Sequence, residues 1–591
     1  MSADALAAQL SSALAHRRAG RQQDAERVLR QVLDAHTGHS GAAHLLGVMA
    51  LERDDATAAL AWLDIALPGA ASLPALHFNR GIALSALSRL DEAKSAYRRC
   101  LALDPGMPEA HFNLGNVLAG TGDKQAAIDA YRQALRLRPA LADAWRALGK
   151  LHASASRWQD AADDFGQLLA LAPTDADAWN RRGVALHQLG QVDDALACYE
   201  RALALLPGSA ESWNNRGNAL HDLRRVDAAI KAYEQAFVLD PELPEASANM
   251  GMLQQETGCF DQARESYRRA QALRPNYAEA TRRLAGLDLL QGRFAQGWAG
   301  FEQALDDAPA VGLLGAAPRW RGEPLAGKRI LLSEPNGLGD TIQFFRFIPR
   351  LVDAGAEVAF FGPASIRHLL CRFEPMLRFV DDAAAAYDYQ AMLWSLPHYL
   401  GIGEGDVGMD APWLLADPTR VARWSHLAEP GAVNIGICWQ GNPRRKIDRL
   451  RSIPLASFRA VAQVPGVRLV SLQRGAGVEQ LDALPEDMNV IVPGAGFDDG
   501  ADAFADTLAL MQRLDLVLSA DTAVTHVAAA SGRPAWLALA KVPDWRWMLG
   551  REDSPWYPTV RLFRQRQLDD WTGVMEQVAA ALRAAHLGSR A

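Results

Sequence analysis

Along residues 6–305, small, aromatic and proline positions return at one fixed step. Gly47, Gly81, Gly115, Gly149, Gly183, Gly217 and Gly251 are each 34 residues apart. Ala59, Ala93, Ala127, Ala161, Ala195, Ala229 and Ala263 keep the same step, as do Pro105, Pro139, Pro173, Pro207, Pro241 and Pro275. A fourth series is aromatic: Tyr97, Tyr131, Phe165, Tyr199, Tyr233, Tyr267 and Phe301. Each period holds two helices. The small Gly and Ala let the helices of one hairpin approach closely, and the aromatic is expected to fill the space between hairpins. The Pro ends the second helix, because it cannot continue the hydrogen-bond ladder. Weak repeats start near Leu6 and Ser40, and a last one starts at Ala278, where Ala285 replaces Gly and Gly297 replaces Ala. About nine units result, with degenerate end units that cap the stack.

A period of 34 with Leu-Gly, Ala, aromatic and Pro at fixed offsets resembles the tetratricopeptide repeat. Such a stack builds a concave surface lined by the first helix of each hairpin. Asn79, Asn113, Asn215 and Asn249 share one position, two residues before the Gly, while Ala147 and Arg181 interrupt the series. An amide there can donate to and accept from an extended peptide backbone. The array resembles the asparagine ladder of O-GlcNAc transferase repeats, which grips acceptor polypeptides. A helix can also carry an exposed Asn there with nothing bound. The repeats alone point to a protein-binding scaffold.

After Phe301 the pattern changes. Residues 306–327 are rich in Gly, Pro and Ala and read as a junction. Short apolar runs then alternate with helical stretches: 329–334, 357–362, 377–380 and 390–395, and after residue 432 a second set, 433–440, 468–473, 490–492, 516–520 and 535–540. Buried apolar strands separated by helices imply parallel sheets. Two sets predict two Rossmann-like halves, 328–425 and 432–585, facing a cleft, with ligands beyond the carboxyl ends of the strands.

Three segments occupy such ends. In the first, Gly337 and Gly339 make a turn and a helix opens with Asp340, either as a cleft carboxylate or as a helix cap. In the second, Arg444, Arg445, Lys446, Arg449 and Arg451 place five cations within eight residues, which suits an anion such as a diphosphate or a solvated basic loop. In the third, a strand ends at Asp521 and a helix begins near Thr522, with Thr525 and His526 in its first turns, where the His is either a ligand contact or a packed polar residue. A helix N-terminus binds phosphate through free N–H groups and its dipole.

The net charge of −8 argues against a general nucleic-acid or anionic-membrane surface. No apolar run is long enough to span a bilayer, and the first twenty residues read as an amphipathic helix rather than a secretion signal. The five cysteines form no C-x-x-C pair, which fits a reducing cytoplasm without disulfides or structural zinc.

Together the three segments resemble the family 9 glycosyltransferases, heptosyltransferase-like enzymes of GT-B fold, over about Lys328 to Gln565. The stretch 519–536, SADTAVTHVAAASGRPAW, is similar to the family's D-[ST]-G-x-x-H-x-A-x-x-x-G-x-P, GLGDTIQ resembles its G-x-x-G-D, and Arg451-Ser452-Ile453-Pro454 falls where it has Lys-x-Trp-Pro. Ala523 stands where the family has Gly, Arg451 replaces Lys, and Pro349 lies three residues further along. Donor identity and heptose transfer are therefore not carried over. The resemblance implies inverting, metal-independent transfer from a nucleotide sugar, with Asp340 as general base. Gly337, Gly339, Lys446, Arg451, Asp521, Thr522, Thr525 and His526 would hold the donor. The lone D-x-D, Asp175–Asp177, lies inside a repeat. No metal or further cofactor is expected.

The combined expectation is an all-α superhelix joined to an α/β transferase whose acceptor is a protein brought by the repeats. A catalytically silent transferase fold on a scaffold, and a glycan-directed enzyme, are the alternatives. Trp545, Trp547, Trp556 and Tyr557, crowded after the last clear strand, either stack on a ligand or pack their loop.

Overall fold

A computed structural model of the chain describes residues 3–307, 314, 316–334, 337–383, 386–407, 412–443 and 448–588. By internal contact the chain divides into two compact units, Met1–Pro241 and Glu242–Ala591.

The first unit is seven helical hairpins, from Ala3–Arg18 with Gln22–Ala35 to Ala210–Asp222 with Val226–Leu239. The role of the glycine is direct. A Cβ at Gly81 would lie 2.5 Å from the Tyr97 ring, at Gly115 2.6 Å from Tyr131, and at Gly217 2.5 Å from Tyr233. The aromatic therefore fills the space inside its own hairpin, not between hairpins as its spacing suggested, because its ring lies flat on the glycine of the partner helix. Between hairpins a different contact recurs. The indoles of Trp145, Trp179 and Trp213 donate to the carbonyls of Pro139, Pro173 and Pro207 at 2.9, 3.0 and 2.9 Å. At the equivalent position one and two repeats earlier, His111 and His77 bond the carbonyls of Pro105 and Ala71. Each helix pair is thus tied to the turn that precedes it.

The second unit begins with two more hairpins, Pro244–Thr257 with Phe260–Leu273 and Ala278–Leu290 with Phe294–Asp307. Fourteen helices in the first unit and four here make eighteen among the described residues, or nine hairpins. The compact division falls two hairpins before the expected end of the repeats near 305. The reason is aromatic packing. Trp298 of the ninth hairpin is buried against Phe344, Trp545 and Trp556, with ring centroids 6.5, 5.3 and 6.3 Å away, and its indole donates to the Ile402 carbonyl at 3.0 Å. Degeneracy in this last repeat has the same cause. With Ala285 in place of Gly, Phe301 lies 5.3 Å from Trp394 outside the hairpin.

The rest of the second unit holds two sheets whose strands pair only in parallel among the described residues. The first has order β3-β2-β1-β4, with β1 Arg329–Ser333, β2 Glu357–Phe361, β3 Leu377–Val380 and β4 Tyr389–Met392. The second has order β10-β9-β8-β5-β6-β7. Its strands are β5 Val433–Cys438, β6 Val467–Ser471, β7 Val490–Ile491, β8 Leu516–Ser519, β9 Ala535–Leu539 and β10 Val560–Arg564. Strand order reverses beside β1 in the first sheet and between β5 and β8 in the second, the points where parallel sheets open a crevice. No helix among the described residues is long and apolar enough to cross a membrane.

In an exposed helix Gly→Ala is stabilising by roughly 0.5–1 kcal/mol. Gly217→Ala should instead destabilise the protein by about 1–3 kcal/mol, because the new methyl overlaps the Tyr233 ring. Urea unfolding measures this. An unchanged or raised midpoint would show that the ring contact is loose.

Candidate functional site

The carboxyl ends of β1, β5 and β8 converge on one cavity of about 800 Å³. Gly337, Gly339 and Asp340 line it after β1, Arg451 after β5, and Asp521, Thr522 and His526 after β8. These seven sequence-predicted residues come together from three separate stretches of chain. Lys446, with Arg444 and Arg445, lies outside the described residues. Thr525 is a correction. It is fully buried, and its hydroxyl bonds the Ala520 carbonyl at 3.3 Å. Three residues after Thr522, the helix Ala523–Ala530 has turned that position toward the strand rather than the cavity.

Close approach explains the small residues. A Cβ at Gly339 would meet His526 Cδ2 at 3.1 Å and the Ala523 backbone at 3.5 Å. The turn after β1 and the helix after β8 can meet only without that side chain. A Cβ at Gly441 would fall 2.3 Å from Asp448 and 2.8 Å from the Arg451 guanidinium. Asp448, buried, accepts from Arg451 Nε at 3.2 Å and from the Ser452 hydroxyl at 3.0 Å, so Arg451 is held in place. Gln473 fixes the same loop: its Oε1 accepts from the Trp439 and Gln440 N–H groups, each at 3.0 Å, and its Nε2 donates to the Gln440 and Ala476 carbonyls.

The strongest polar feature was not read from the sequence. Arg546 forms ion pairs with Asp340 and, at 2.8 Å, with Asp544, and donates to Gln343 Oε1 at 2.5 Å. Burial opposes its charge, but Asp544, Asp340 and Asp521 more than offset that and raise its pKa. Asp521 is pushed up to about 6 by burial and by Asp544, against the pull of Arg451. Arg546 and Asp544 lie within the same aromatic-rich loop that was read only for its rings. Of those rings, Trp547, Trp556 and Tyr557 are buried and pack the loop, while Trp545 lies under the Arg546 guanidinium, 4.3 Å from its centre.

His526 is held neutral. Burial, then Arg546, Arg346 and Arg451, lower its pKa well below the ordinary value. Its Nδ1 lies 2.8 Å from the Tyr557 hydroxyl. Buried Arg346 lies over the Tyr557 ring, its guanidinium carbon 4.5 Å from the centroid, and donates to the Gln343, Val407 and Trp556 carbonyls. The bond to Tyr557 occupies His526 Nδ1, and Nε2 is the ring nitrogen on the side of Gly339.

On the repeats, the predicted asparagines are half-buried and already engaged. Asn79 Nδ2 lies 3.0 Å from His44 Nε2, Asn113 bonds the Tyr97 hydroxyl, and Asn215 donates to Asn180 Oδ1 at 3.1 Å. Asn249 lies at the same register on Pro244–Thr257. Asp175 and Asp177, the lone D-x-D, serve the repeat itself: Asp175 caps a helix through the Ala178 N–H, and Asp177 pairs with Arg181.

Comparison with known proteins bears on the helical part. Tetratricopeptide repeat models match residues 10–74, 78–142, 176–209, 210–243 and 249–311. The N-terminal region carries tetratricopeptide repeats. These repeats suggest a protein-binding scaffold. Protein FlbA of Caulobacter vibrioides is 32% identical over 325 residues, covering 50% of this chain and 53% of that protein. The chain thus spans about half the length of the curated relative it matches. Among solved structures, YrrB, described as a TPR protein with an unusual peptide-binding site, is 22% identical, covering 32% of this chain and 96% of its own at a TM-score of 0.28. The C-terminal part of a TPR protein from Cytophaga hutchinsonii is 15% identical, with coverage of 40% and 96% and a TM-score of 0.35.

Replacing Arg546 by Ala leaves Asp340, Asp521 and Asp544 without the cation they share. Breaking so buried a pair should cost about 3 kcal/mol of stability near neutral pH. Asp521, already pushed up to about 6 by burial and by Asp544, loses one of the cations that oppose that rise. Stability is therefore lost as pH rises through that range and regained as pH falls. Melting curves from pH 8 to pH 5 should show the gap to wild type narrowing. A gap independent of pH would mean that the carboxylates are not the cause.

Proposed function

We propose that the two parallel sheets form a GT-B-type glycosyltransferase of the family 9 kind, which moves a sugar from a nucleotide diphosphate donor to a protein recruited by the repeats. The observation that carries this reading is the convergence of Asp340, Arg451, Asp521 and His526 in one cleft at the strand-order reversals of both sheets. Donor hydroxyls would meet Asp521. The diphosphate would lie between Arg451, Arg546 and the start of the helix Ala523–Ala530, whose free N–H groups suit an anion, with His526 beside it. The acceptor hydroxyl oxygen attacks the anomeric carbon, the bond to the diphosphate oxygen breaks, and the electron pair leaves with the nucleotide. Asp340 takes the hydroxyl proton, which requires contact within about 3 Å. Arg546 links the two tasks. Drawn toward a bound diphosphate, it loosens its hold on Asp340 and leaves that carboxylate able to accept a proton.

The second reading, a silent transferase fold on a scaffold, is favoured by the same ion pair, because a carboxylate locked to Arg546 is no base. Titration with UDP-, GDP-, dTDP- and ADP-linked sugars, followed by hydrolysis assays, separates the two. At least one donor should bind and turn over slowly in water; binding without any turnover supports the scaffold, and no binding at all rejects the transferase. With the active donor, Asp340→Asn should lower transfer by about a hundredfold or more while donor affinity holds. A wild-type rate in that variant would remove Asp340 from the role of base. Intact-mass analysis of proteins and of surface glycans, in cells with and without the gene, assigns the acceptor class.

A further inference from the structure

A second cavity of about 510 Å³ touches Asp340, Arg451, Asp521 and Arg546 from the other side, and its far wall is made by the last two repeats. Met252, Gln255 and Glu256 of Pro244–Thr257 and Glu279, Arg282, Arg283 and Gly286 of Ala278–Leu290 form that wall. The wall keeps the repeat register. Arg283 stands 34 residues after Asn249, at the position of the asparagine series, and Gly286 stands 34 after Met252. Asn249, Met252 and Glu256 lie on one helix face by their spacing of three and four. Within the second unit, the helix face that carries Asn249 therefore has its counterpart, in the final repeat, in the wall of a cavity that contains Asp340.

The wall is built for a polar chain. Glu279 pairs with both Arg282 and Arg283, at 2.7 Å to the latter, so two neighbouring guanidiniums share one carboxylate. They retain N–H donors for carbonyl oxygens, in a fork that an extended backbone can meet. Gly286 has nothing within 4 Å of the place its Cβ would occupy, so it faces open space. The indole of Trp545 closes the floor beside Arg546.

We infer that this second cavity is the acceptor subsite, that its occupant is an extended polypeptide, and that Arg282 and Arg283 of the last repeat hold the backbone that presents a hydroxyl to Asp340. The inference rests on the transferase reading. It adds that the last repeat is part of the active site and not only a recruiting arm. Polypeptide is chosen over glycan because Arg283 keeps the asparagine position of the repeat and, with Arg282, offers paired guanidinium donors to backbone carbonyls.

The test uses the full chain in cells lacking the native gene. A photoreactive benzoylphenylalanine replaces Arg282, and crosslinked material is digested and mapped. The expected result is a crosslink to the protein that loses sugar mass when the gene is absent, within about five residues of its modified hydroxyl. A crosslink to a glycan or glycolipid, or to a polypeptide far from any modified residue, overturns the inference. In parallel, Gly286→Trp fills the open space. Protein modification should fall about a hundredfold, while the donor chosen by the nucleotide-sugar panel binds within about twofold of wild type. Unchanged modification overturns the inference and leaves the transferase reading standing. If Gly286→Trp melts early, Arg282→Ala with Arg283→Ala serves in its place, with the same expected and opposing results. Failure of the wild-type chain to bind any nucleotide sugar defeats the transferase reading itself, and the inference falls with it.

Discussion

The burial of Trp298 is the contact on which the second unit depends. Its ring packs nearly perpendicular to Phe344, on the short helix Leu338–Phe344 that carries Asp340. It packs in the same way against Trp545, the neighbour of Arg546 in sequence and the ring beneath its guanidinium. Both members of the Asp340–Arg546 pair are thus positioned through one indole that belongs to a repeat. Each aromatic contact is worth about 0.5–1.5 kcal/mol beyond the area it buries, and the indole N–H is satisfied by the Ile402 carbonyl. A hinge at this place would have to break several such contacts together. The ninth hairpin is therefore better described as a structural element of the α/β region, with a repeat sequence, than as the end of a separate arm.

That arrangement explains what could and could not be read from the chain. The repeats were legible because one steric contact, glycine against aromatic ring, recurs in every middle hairpin and leaves its period in the sequence. The parallel strands were legible because strands buried on both faces become unbroken apolar runs. β10 was not, since it is an edge strand: Val560, Leu562 and Phe563 are buried while Arg561 is exposed, so the run is broken by charge. Asp340, Asp521 and His526 stood out because each follows the end of a strand. Arg546 and Asp544 did not, since they come from an irregular loop whose only visible signal was aromatic. Thr525 was misplaced because a helix that begins at the cavity turns its third residue back into the protein. The position of the aromatic inside, not between, hairpins was also beyond the spacing alone, since both sites recur at the same period.

The inner helices of the first unit add a second periodic device. His44 with Asn79, Asn180 with Asn215 and His187 with Asp222 are each separated by 35 residues, one repeat and one position. These bonds stitch Ser40–Leu51 to Pro74–Ala86 and Ala176–Gln188 to Ala210–Asp222. Each is worth about 1 kcal/mol net in water-accessible surroundings. A peptide laid on this face would trade such bonds for its own, at little net change. The surface therefore favours many weak, exchangeable contacts over one tight grip, which suits a chain that must be held and then released.

The charge balance of the cleft gives the proposed reaction an order. Among the described residues, Asp340, Asp521 and Asp544 line the cleft together with Arg451 and Arg546. With no donor present, Arg546 is committed to Asp340 and Asp544. An acceptor arriving first would find its base neutralised by an ion pair. A diphosphate arriving first brings further negative charge to the same two guanidiniums and competes for Arg546. Asp340 is then less tightly held by Arg546, at the moment the leaving group is in place. Buried Asp521, already raised to about 6, would be protonated more readily as that charge arrives, unless a sugar hydroxyl donates to it. The same electrostatics that keep an empty site from activating water would thus ready it for an acceptor only after the donor is bound.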